Sequence, residues 1–228
     1  MKKALLLLAS AGIAMSASPA LAQAQTQDRA GDVQVKVLMT GVLPDGEIDS
    51  VNVDLIGLPA GTDTAASDNY VPTLAVEYFV TNNFSIETIA GTTQHDVDAS
   101  AGPLVGAEVV SNALLLPATV TAKLHFDAGG IKPYVGAGGA YFMWLSDKPG
   151  ADTVPLGATD SDLSDEFGFV LQAGVDVPLG DDGFGISLDA KRYFIGTTLQ
   201  VFSGNTLVLE TDHNLDPWVV SAGVSYRF

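Results

Sequence analysis

The stretch Asp216-Pro-Trp-Val-Val-Ser-Ala-Gly-Val-Ser-Tyr-Arg-Phe228 alternates in chemical character from residue to residue. From Trp218 onwards every second residue is apolar, whereas the residues between them are mostly small or polar. A period of two is the pattern of a β-strand with one apolar and one polar face. Aromatic residues stand at both ends of the apolar face, with Trp218 at one end and Tyr226 and Phe228 at the other. An apolar band about 25 Å tall between two aromatic girdles is typical of an outer-membrane β-barrel.

Residues 1–22 have the three parts of a secretory signal peptide. Two lysines precede an apolar stretch at residues 4–14, and Ala20-Leu-Ala22 provides a small-residue cleavage site. The apolar stretch is too short to span a bilayer as a permanent helix. We therefore predict that residues 1–22 are cleaved and that residues 23–228 form one β-barrel domain in the outer membrane of a Gram-negative bacterium.

The composition excludes several classes of protein. Removal of a leader with two positive charges and no acid takes the formal net charge from −17 to −19. Nucleic-acid binding needs Lys and Arg to displace counterions, so we predict no nucleic-acid partner. The chain has no cysteine and therefore no disulfide or thiol chemistry. Its mean hydropathy is positive although the mature part has no long apolar run, which a closed barrel with an apolar outside explains.

Apolar–polar alternation recurs along the chain and predicts about eight strands. The alternating segments are residues 32–40, 73–81, 84–91, 119–126, 131–145, 167–177, 184–191 and 216–228. The connections after the second, fourth and sixth segments are short turns, and the others are long. Outer-membrane barrels have short periplasmic turns and long extracellular loops. The pattern thus predicts an all-β fold, an eight-stranded antiparallel transmembrane β-barrel with this arrangement of turns and loops.

A soluble, lipocalin-like barrel with its apolar faces turned inward is the alternative fold. It would show the same period of two along each strand. However, the polar faces here carry mainly Ser, Thr and Gly, whereas the surface of an acidic soluble protein usually carries more charge. The aromatic residues at both ends of the last strand also match a membrane girdle, so the membrane barrel is favoured.

Several motifs resemble those of the outer-membrane protein W (OmpW) family. They are Gly31-Asp-Val-Gln-Val-Lys-Val, Pro72-Thr-Leu-Ala-Val-Glu-Tyr-Phe-Val-Thr-Asn-Asn-Phe-Ser-Ile-Glu, Gln94-His-Asp-Val, Leu116-Pro-Ala-Thr, Lys132-Pro-Tyr-Val-Gly-Ala-Gly, Leu171-Gln-Ala-Gly-Val-Asp and Asp216-Pro-Trp-Val. They follow the family's order over most of the mature chain. The chain departs from the resemblance at Ala118, where a second proline is expected, and at Lys191-Arg192, where a hydrophobic residue is expected before the arginine.

This resemblance implies a narrow barrel with a largely apolar interior. It implies passage of small hydrophobic compounds, with release sideways between strands into the membrane, and use of the surface as a receptor by toxins or phage. We therefore predict a passive channel for uptake of small hydrophobic molecules across the outer membrane. The alternative is a non-transporting structural or surface-interaction barrel.

Charged residues fall on the strand faces opposite the apolar ones, which predicts a polar network inside the barrel. Its predicted members are Lys36, Glu77, Glu87, Lys123, His125, Gln172, Asp176, Asp189, Lys191 and Arg227. Both signs of charge are present, and the interior of an eight-stranded barrel is just wide enough for side chains to fill. The network is either a salt-bridged plug in the periplasmic half or a polar gate below an apolar entrance.

Apolar residues also occur in the long connections. Leu104, Val105, Leu114, Leu115 and Leu116 are predicted to form an apolar entrance for ligand, because apolar residues in external loops indicate a binding surface. The other interpretation is that these residues belong to strand extensions above the membrane that pack on one another.

No pattern indicates catalysis or metal binding. His95, His125 and His213 are the candidate general bases, but no Gly-x-Ser-x-Gly elbow accompanies them. The acidic stretch that begins at Asp160 lacks the spacing of a calcium loop. We predict no enzymatic activity, no cofactor and no metal.

The expected partners follow from the membrane location. We expect outer-membrane lipid and lipopolysaccharide around the apolar belt, with Trp218, Tyr226 and Phe228 at the membrane interfaces. A small hydrophobic ligand is expected inside the barrel. The barrel-assembly machinery is expected to act through the C-terminal strand.

Overall fold

The computed structural model describes residues 28–228, so the predicted leader and cleavage site lie outside the described residues. The strands are β1 (Val33–Leu43), β2 (Glu47–Asp54), β3 (Asp63–Ala66), β4 (Asn69–Phe79), β5 (Phe84–Ala90), β6 (Thr93–Ala101), β7 (Glu108–His125), β8 (Lys132–Pro149), β9 (Asp160–Leu163), β10 (Glu166–Pro178), β11 (Phe184–Phe194), β12 (Gly196–Ser203), β13 (Thr206–Asn214) and β14 (Trp218–Arg227). A single turn of 3₁₀ helix, Val154–Leu156, precedes β9. Within the described part of the chain, no helix has the length and apolar character needed to cross a membrane.

Eight of these strands close a barrel. Its order is β1-β4-β5-β7-β8-β10-β11-β14, and every neighbouring pair is antiparallel. The ring closes between the first and last strands, where Gln34 faces Arg227 and Leu43 faces Trp218. Closure gives every barrel strand a hydrogen-bonding neighbour on both sides, as lipid requires. The predicted eight-stranded antiparallel barrel is confirmed.

The long connections at the extracellular end are built mainly of strand. The order β2-β13-β12-β9 forms a four-stranded sheet on one side of the barrel mouth, and β3, β6 and the upper parts of β7 and β8 extend the opposite wall. These segments also alternate, as in β12, where Thr197, Leu199 and Val201 are buried and the residues between them are partly exposed. Pairing in a sheet satisfies their backbone groups above the lipid.

Side chains alternate between the lipid and the lumen around the whole barrel. Trp218, Tyr226 and Phe228 are exposed on the outer face. At the periplasmic end, the ring of Tyr226 lies 4.8 Å from that of Phe184 and 5.9 Å from that of Phe228. At the extracellular end, the rings of Phe169 and Phe194 stack with centroids 4.5 Å apart. The outer surface therefore carries an apolar band between two aromatic levels.

The inner face is divided into two parts. Charged and hydroxyl side chains fill the periplasmic half, where Lys36, Glu77 and Lys123 are almost completely buried. Apolar side chains dominate the extracellular half, where Val42, Phe142 and Val219 belong to one buried cluster. This change from a polar to an apolar interior positions the candidate site.

We expect Leu188→Arg to destabilise the barrel by about 2–4 kcal/mol, the cost of a lipid-facing cation near the bilayer midplane. Leu188 is exposed on β11 opposite Ala222, midway between the two aromatic levels. Urea unfolding in phospholipid vesicles measures the change. Leu179→Arg is the matched control, because Leu179 is an exposed residue of the periplasmic turn after β10 and an interfacial cation costs about 0–1 kcal/mol. Equal losses in both variants would contradict the lipid-facing placement of Leu188.

Candidate functional site

Four side chains form the centre of an ion cluster in the lower lumen. Lys36 Nζ lies 2.8 Å from Glu77 Oε2 and 3.1 Å from Glu87 Oε2. Lys123 Nζ lies 2.9 Å from the same oxygen of each glutamate. These residues come from β1, β4, β5 and β7, so each ammonium joins carboxylates of two neighbouring strands. All four are buried, and a buried charge requires such pairing.

A second group of polar residues continues the cluster toward β10 and β11. Gln172 Nε2 donates to Glu87 Oε1 at 2.9 Å and to Asp189 Oδ2 at 2.7 Å. Lys191 Nζ lies 2.5 Å from Asp189 Oδ1 and 3.4 Å from Glu87 Oε1. The hydroxyl of Tyr134 donates to Asp189 at 2.7 Å. Opposite sides of the barrel are thereby joined through the lumen.

The periplasmic side of the cluster contains a histidine and a further aspartate. His125 Nε2 and the hydroxyl of Ser85 both contact Glu77 Oε1, at 2.8 and 2.5 Å. Asp176 Oδ1 accepts from the hydroxyl of Ser187 at 2.6 Å and lies 3.4 Å from the ammonium of Lys36. These contacts complete a layer of paired charges across the lumen.

The structure brings nine of the ten predicted lumen residues into this cluster. They are Lys36, Glu77, Glu87, Lys123, His125, Gln172, Asp176, Asp189 and Lys191. Arg227 lies apart from them at the periplasmic mouth, where its Nε is 3.4 Å from Asp32 Oδ2. It is the last residue of β14, so its position at the end of the barrel separates it from the others.

Tyr134 and Arg29 are members of the polar lumen that the sequence did not predict. Tyr134 receives the ammonium of Lys123 over its ring at 3.8 Å. The glycines that follow it in β8 obscured the alternation that would have assigned it to the inner face. Arg29 precedes β1 and places its guanidinium 5.1 Å from the ring centre of Phe79. Because it lies outside any strand, periodicity gave no signal for it.

An apolar cavity lies above the ion cluster. The space between its walls, including the part that is open to solvent, is about 1080 Å³. Val42, Val71, Leu115, Phe142 and Trp144 are among the side chains of its wall. Lys191 lines the cavity and also belongs to the ion cluster. The cavity therefore ends on a polar floor.

The structure separates the five residues predicted as an apolar entrance. Leu115 is buried in the cavity wall. Leu114 and Leu116 are its neighbours on β7 and are outside the cavity lining, because successive residues of a strand point to opposite faces. Leu104 and Val105 are exposed in the tip between β6 and β7. The apolar surface that the cavity presents is thus supplied mainly by inward residues of the barrel strands.

Two buried histidines line the upper cavity. His95 Nδ1 lies 2.5 Å from the carbonyl oxygen of Ser67, and His213 Nδ1 lies 3.3 Å from that of Gly46. A carbonyl only accepts, so Nδ1 carries the proton in both rings, and each Nε2 accepts from a neighbouring threonine hydroxyl. Burial lowers the pKa of His95 and of His213, because the charged imidazolium would lose hydration.

Among residues 28–228, no group of histidine, aspartate and glutamate side chains is arranged to hold a metal ion. The site instead combines an apolar cavity with a layer of paired charges. Together with the closed eight-stranded ring and the apolar belt between two aromatic levels, it defines an outer-membrane β-barrel protein.

Comparison with known sequences gives the family. The model of the OmpW family matches residues 29–228. The outer-membrane protein y4mB of Sinorhizobium fredii is 35% identical over 196 residues, which cover 86% of this chain and 79% of the relative. Outer membrane protein W of Vibrio cholerae is 26% identical, with 94% of each chain covered. The chain belongs to the OmpW family and is a protein of the Gram-negative outer membrane.

Solved structures show the same fold. The crystal structure of OprG from Pseudomonas aeruginosa is similar with a TM-score of 0.76 at 22% identity, over 89% of this chain and 98% of that one. The structure of AlkL in lipid bilayers is similar with a TM-score of 0.67 at 22% identity, over 88% and 91% of the two chains. The barrel architecture is therefore shared beyond the level of clear sequence similarity.

We expect Lys123→Met to destabilise the protein by about 3–5 kcal/mol, because it removes one of the two ammoniums that contact both Glu77 and Glu87 and leaves an uncompensated negative charge in the buried layer. Urea unfolding in vesicles measures the loss. Lys123→Met combined with Glu77→Gln removes one charge of each sign and should cost less. Lys132→Met is the control at the periplasmic mouth, where the partner Asp127 is half exposed and a surface pair contributes about 0–1 kcal/mol. Equal costs for Lys123→Met and Lys132→Met would contradict the buried cluster.

We also expect stability to fall as the pH drops below about 6.5, the pKa of an unfolded-state histidine. The pKa values of His95 and His213 are lowered in the folded protein, so protons bind the unfolded chain first and the loss grows as the pH approaches the lowered values. Urea unfolding between about pH 8 and pH 5 measures this dependence. In the double variant His95→Asn/His213→Asn the profile should be flatter, and an unchanged profile would show that other groups cause it.

Proposed function

We propose that this barrel allows small hydrophobic molecules to pass passively across the outer membrane. The observation that supports the proposal is the apolar cavity in the extracellular half of the lumen. Burial of apolar surface provides the driving force for such a molecule to leave water and enter the cavity. Recognition by shape and apolarity suits a passive route, because no specific polar contact has to be broken on release.

A direct route to the periplasm is unfavourable for an apolar molecule. The ion cluster below the cavity fills the lumen with short contacts, such as Lys123 Nζ to Glu77 Oε2 at 2.9 Å. A passing molecule would have to separate these pairs, and it would leave buried charges unpaired while it did so. The proposed path therefore leaves the cavity sideways into the membrane, above the cluster.

The barrel wall has a seam where such an exit is easiest. The ladder between β4 and β5 ends at the pair Leu74 and Ala90. The next ladder pair toward the extracellular end joins Ala66 of β3 to Val97 of β6. Between them, the Asn69 side chain donates to the carbonyl of Gln94 at 2.8 Å in place of a ladder bond. Gly91 lies at this seam and lines the cavity. Its missing side chain leaves the inner side of the seam open.

Contacts with the membrane and its machinery belong to the same proposal. The apolar outer face between the aromatic levels suits contact with outer-membrane lipid and lipopolysaccharide. The C-terminal strand β14 closes the ring with β1, and it is the segment on which we expect the barrel-assembly machinery to act.

A surface-interaction role is the second candidate function. It is favoured by apolar residues at the extracellular tips, where Leu55, Ile56, Val105 and Leu156 are exposed. An exposed apolar surface is typical of a site that contacts another molecule. In this role the barrel would be a scaffold for its tips, and the seam would have no part in the function.

We expect Gly91→Phe to reduce uptake of an uncharged apolar fluorescent probe severalfold in cells that produce the protein in their outer membrane. A Cβ atom at Gly91 is tolerated, because it would lie 3.4 Å from the carbonyl oxygen of Pro72 and 3.5 Å from Thr73 Oγ1, which are ordinary contacts. The phenyl group would then occupy the inner side of the seam. Uptake corrected for the amount of folded protein is the measurement.

Gly139→Phe is the matched control for this experiment. Gly139 is exposed on the lipid face of β8, and the nearest atom to an added side chain is the carbonyl oxygen of Gly168 at 4.0 Å. The same substitution there adds an aromatic ring without entering the cavity. Equal uptake in the Gly91 and Gly139 variants would contradict the seam as the exit. Uptake no greater than in cells without the barrel would favour the surface-interaction role.

A further inference from the structure

Lys191 lies where the apolar cavity meets the ion cluster. Its side chain lines the cavity and is only 2% exposed. Its ammonium contacts Asp189 Oδ1 at 2.5 Å and Glu87 Oε1 at 3.4 Å. The same two carboxylates accept from the amide of Gln172, which holds them in place. Lys191 is therefore a fixed cation at the base of a largely apolar site.

The ammonium has hydrogen-bonding capacity beyond these two contacts. A lysine carries three N–H donors and no acceptor. Asp189 and Glu87 are the carboxylates that the described part of the chain places against Lys191 Nζ, by a hydrogen bond to Asp189 and an ion pair with Glu87 at 3.4 Å. A remaining donor can serve a molecule in the cavity that the side chain lines.

Hydroxyl groups lie beside Lys191 on the cavity floor. Thr40 Oγ1 and Ser221 Oγ are 2.8 Å apart, and both residues line the cavity. Such a pair has two hydroxyl protons, one of which is used between the two oxygens, so the second is available to a ligand. Thr40, Ser221 and Lys191 come from β1, β14 and β11, which are consecutive in the barrel. The floor thus presents several donors side by side.

We propose that this floor binds the head of an uncharged amphipathic ligand, whose terminal oxygen accepts a hydrogen bond from Lys191 while its apolar tail lies along the cavity wall. A medium-chain alcohol or aldehyde has this chemistry. A pure hydrocarbon would pack against the cavity wall but offer no acceptor to the donors of the floor. Burying those donors without hydrogen-bond partners costs free energy. The proposal rests on the proposed function, since it assumes that hydrophobic molecules enter the cavity.

Charge balance favours an uncharged head over a carboxylate. The cluster holds the carboxylates of Glu77, Glu87, Asp176 and Asp189 against the ammoniums of Lys36, Lys123 and Lys191. Lys191 is already neutralised by Asp189 at 2.5 Å, so a ligand carboxylate would add an unpaired negative charge to a buried layer. A cationic head would face the ammonium itself. An uncharged oxygen acceptor adds no unpaired charge to the buried layer and is not repelled by the ammonium.

Lys191 also departs from the residue type that the family resemblance implies. It occupies the position where the resemblance to the OmpW family predicts a hydrophobic residue before Arg192. Replacement by Met therefore restores an apolar floor at a position where an apolar side chain is expected. The ligand preference can be changed in this way without altering the wall.

The test is competition against an apolar fluorescent probe on the full mature chain in detergent micelles, with 1-decanol, decanal, decanoate and decane as competitors. In the unaltered protein we expect decanol and decanal to displace the probe at about tenfold lower concentration than decane. Decanoate should also be weaker than decanol. All four competitors have ten carbons, which keeps their apolar contribution similar.

The key variant is Lys191→Met/Asp189→Asn, which removes the donor while keeping the charge balance. The probe should still bind, and the advantage of decanol over decane should disappear. Lys123→Met/Glu77→Gln is the matched control, because it also removes one positive and one negative charge from the cluster, but from residues that do not line the cavity. This control should keep the preference for decanol. Thr40→Val/Ser221→Ala leaves every charge in place and should reduce the preference, which provides a second test of the floor.

Equal competition by decanol and decane in the unaltered protein would overturn the inference, as would an alcohol preference that survives Lys191→Met/Asp189→Asn. In both cases binding of the probe itself would still support the proposed function. Failure of the probe to bind would overturn the proposed function, and the ligand inference with it.

Discussion

The paired charges buried in the lumen of the barrel fix the register of the strands around them and the position of the cavity. Lys36 and Lys123 each contact both Glu77 and Glu87, and these residues belong to four different strands. In a low-dielectric interior such charges are tolerable only when every one has a partner, so the four strands are held in one register. The lower lumen is consequently filled, and the space for a ligand is restricted to the extracellular half.

The fold was predictable because the strands of a membrane barrel follow a simple sequence pattern. Each strand must present apolar residues to lipid at every second position, and the segment from Trp218 to Phe228 does so without interruption. The same parity places Glu77 and Lys123 inside the barrel. Which of these charges contact one another was harder to predict from the sequence, because it depends on which strands are neighbours in the ring. Glu77 on β4 and Lys123 on β7 meet because β5 pairs with both of these strands.

Other parts of the site were hidden for physical reasons. Tyr134 is followed by a glycine-rich run, where small residues on both faces remove the contrast between lumen and lipid. Arg29 reaches the lumen from a segment without strand periodicity. Leu114, Leu115 and Leu116 are equally apolar in sequence, yet the pleat of β7 places Leu115 in the cavity wall and its two neighbours outside the lining. Composition marks such a segment as apolar, whereas only the pleat assigns each side chain to a face.

The length of β7 has a consequence for the environment of the cavity. β7 contains 18 residues, and a tilted strand climbs roughly 2.5 Å per residue along a barrel axis, so its wall is about 45 Å tall. The hydrocarbon belt of an outer-membrane barrel takes up about 25 Å of that height. The remaining part stands outside the hydrocarbon, on the extracellular side. On the proposed route, a molecule inside the cavity would be screened by protein from the polar layer outside the hydrocarbon, which it would otherwise have to dissolve in and cross.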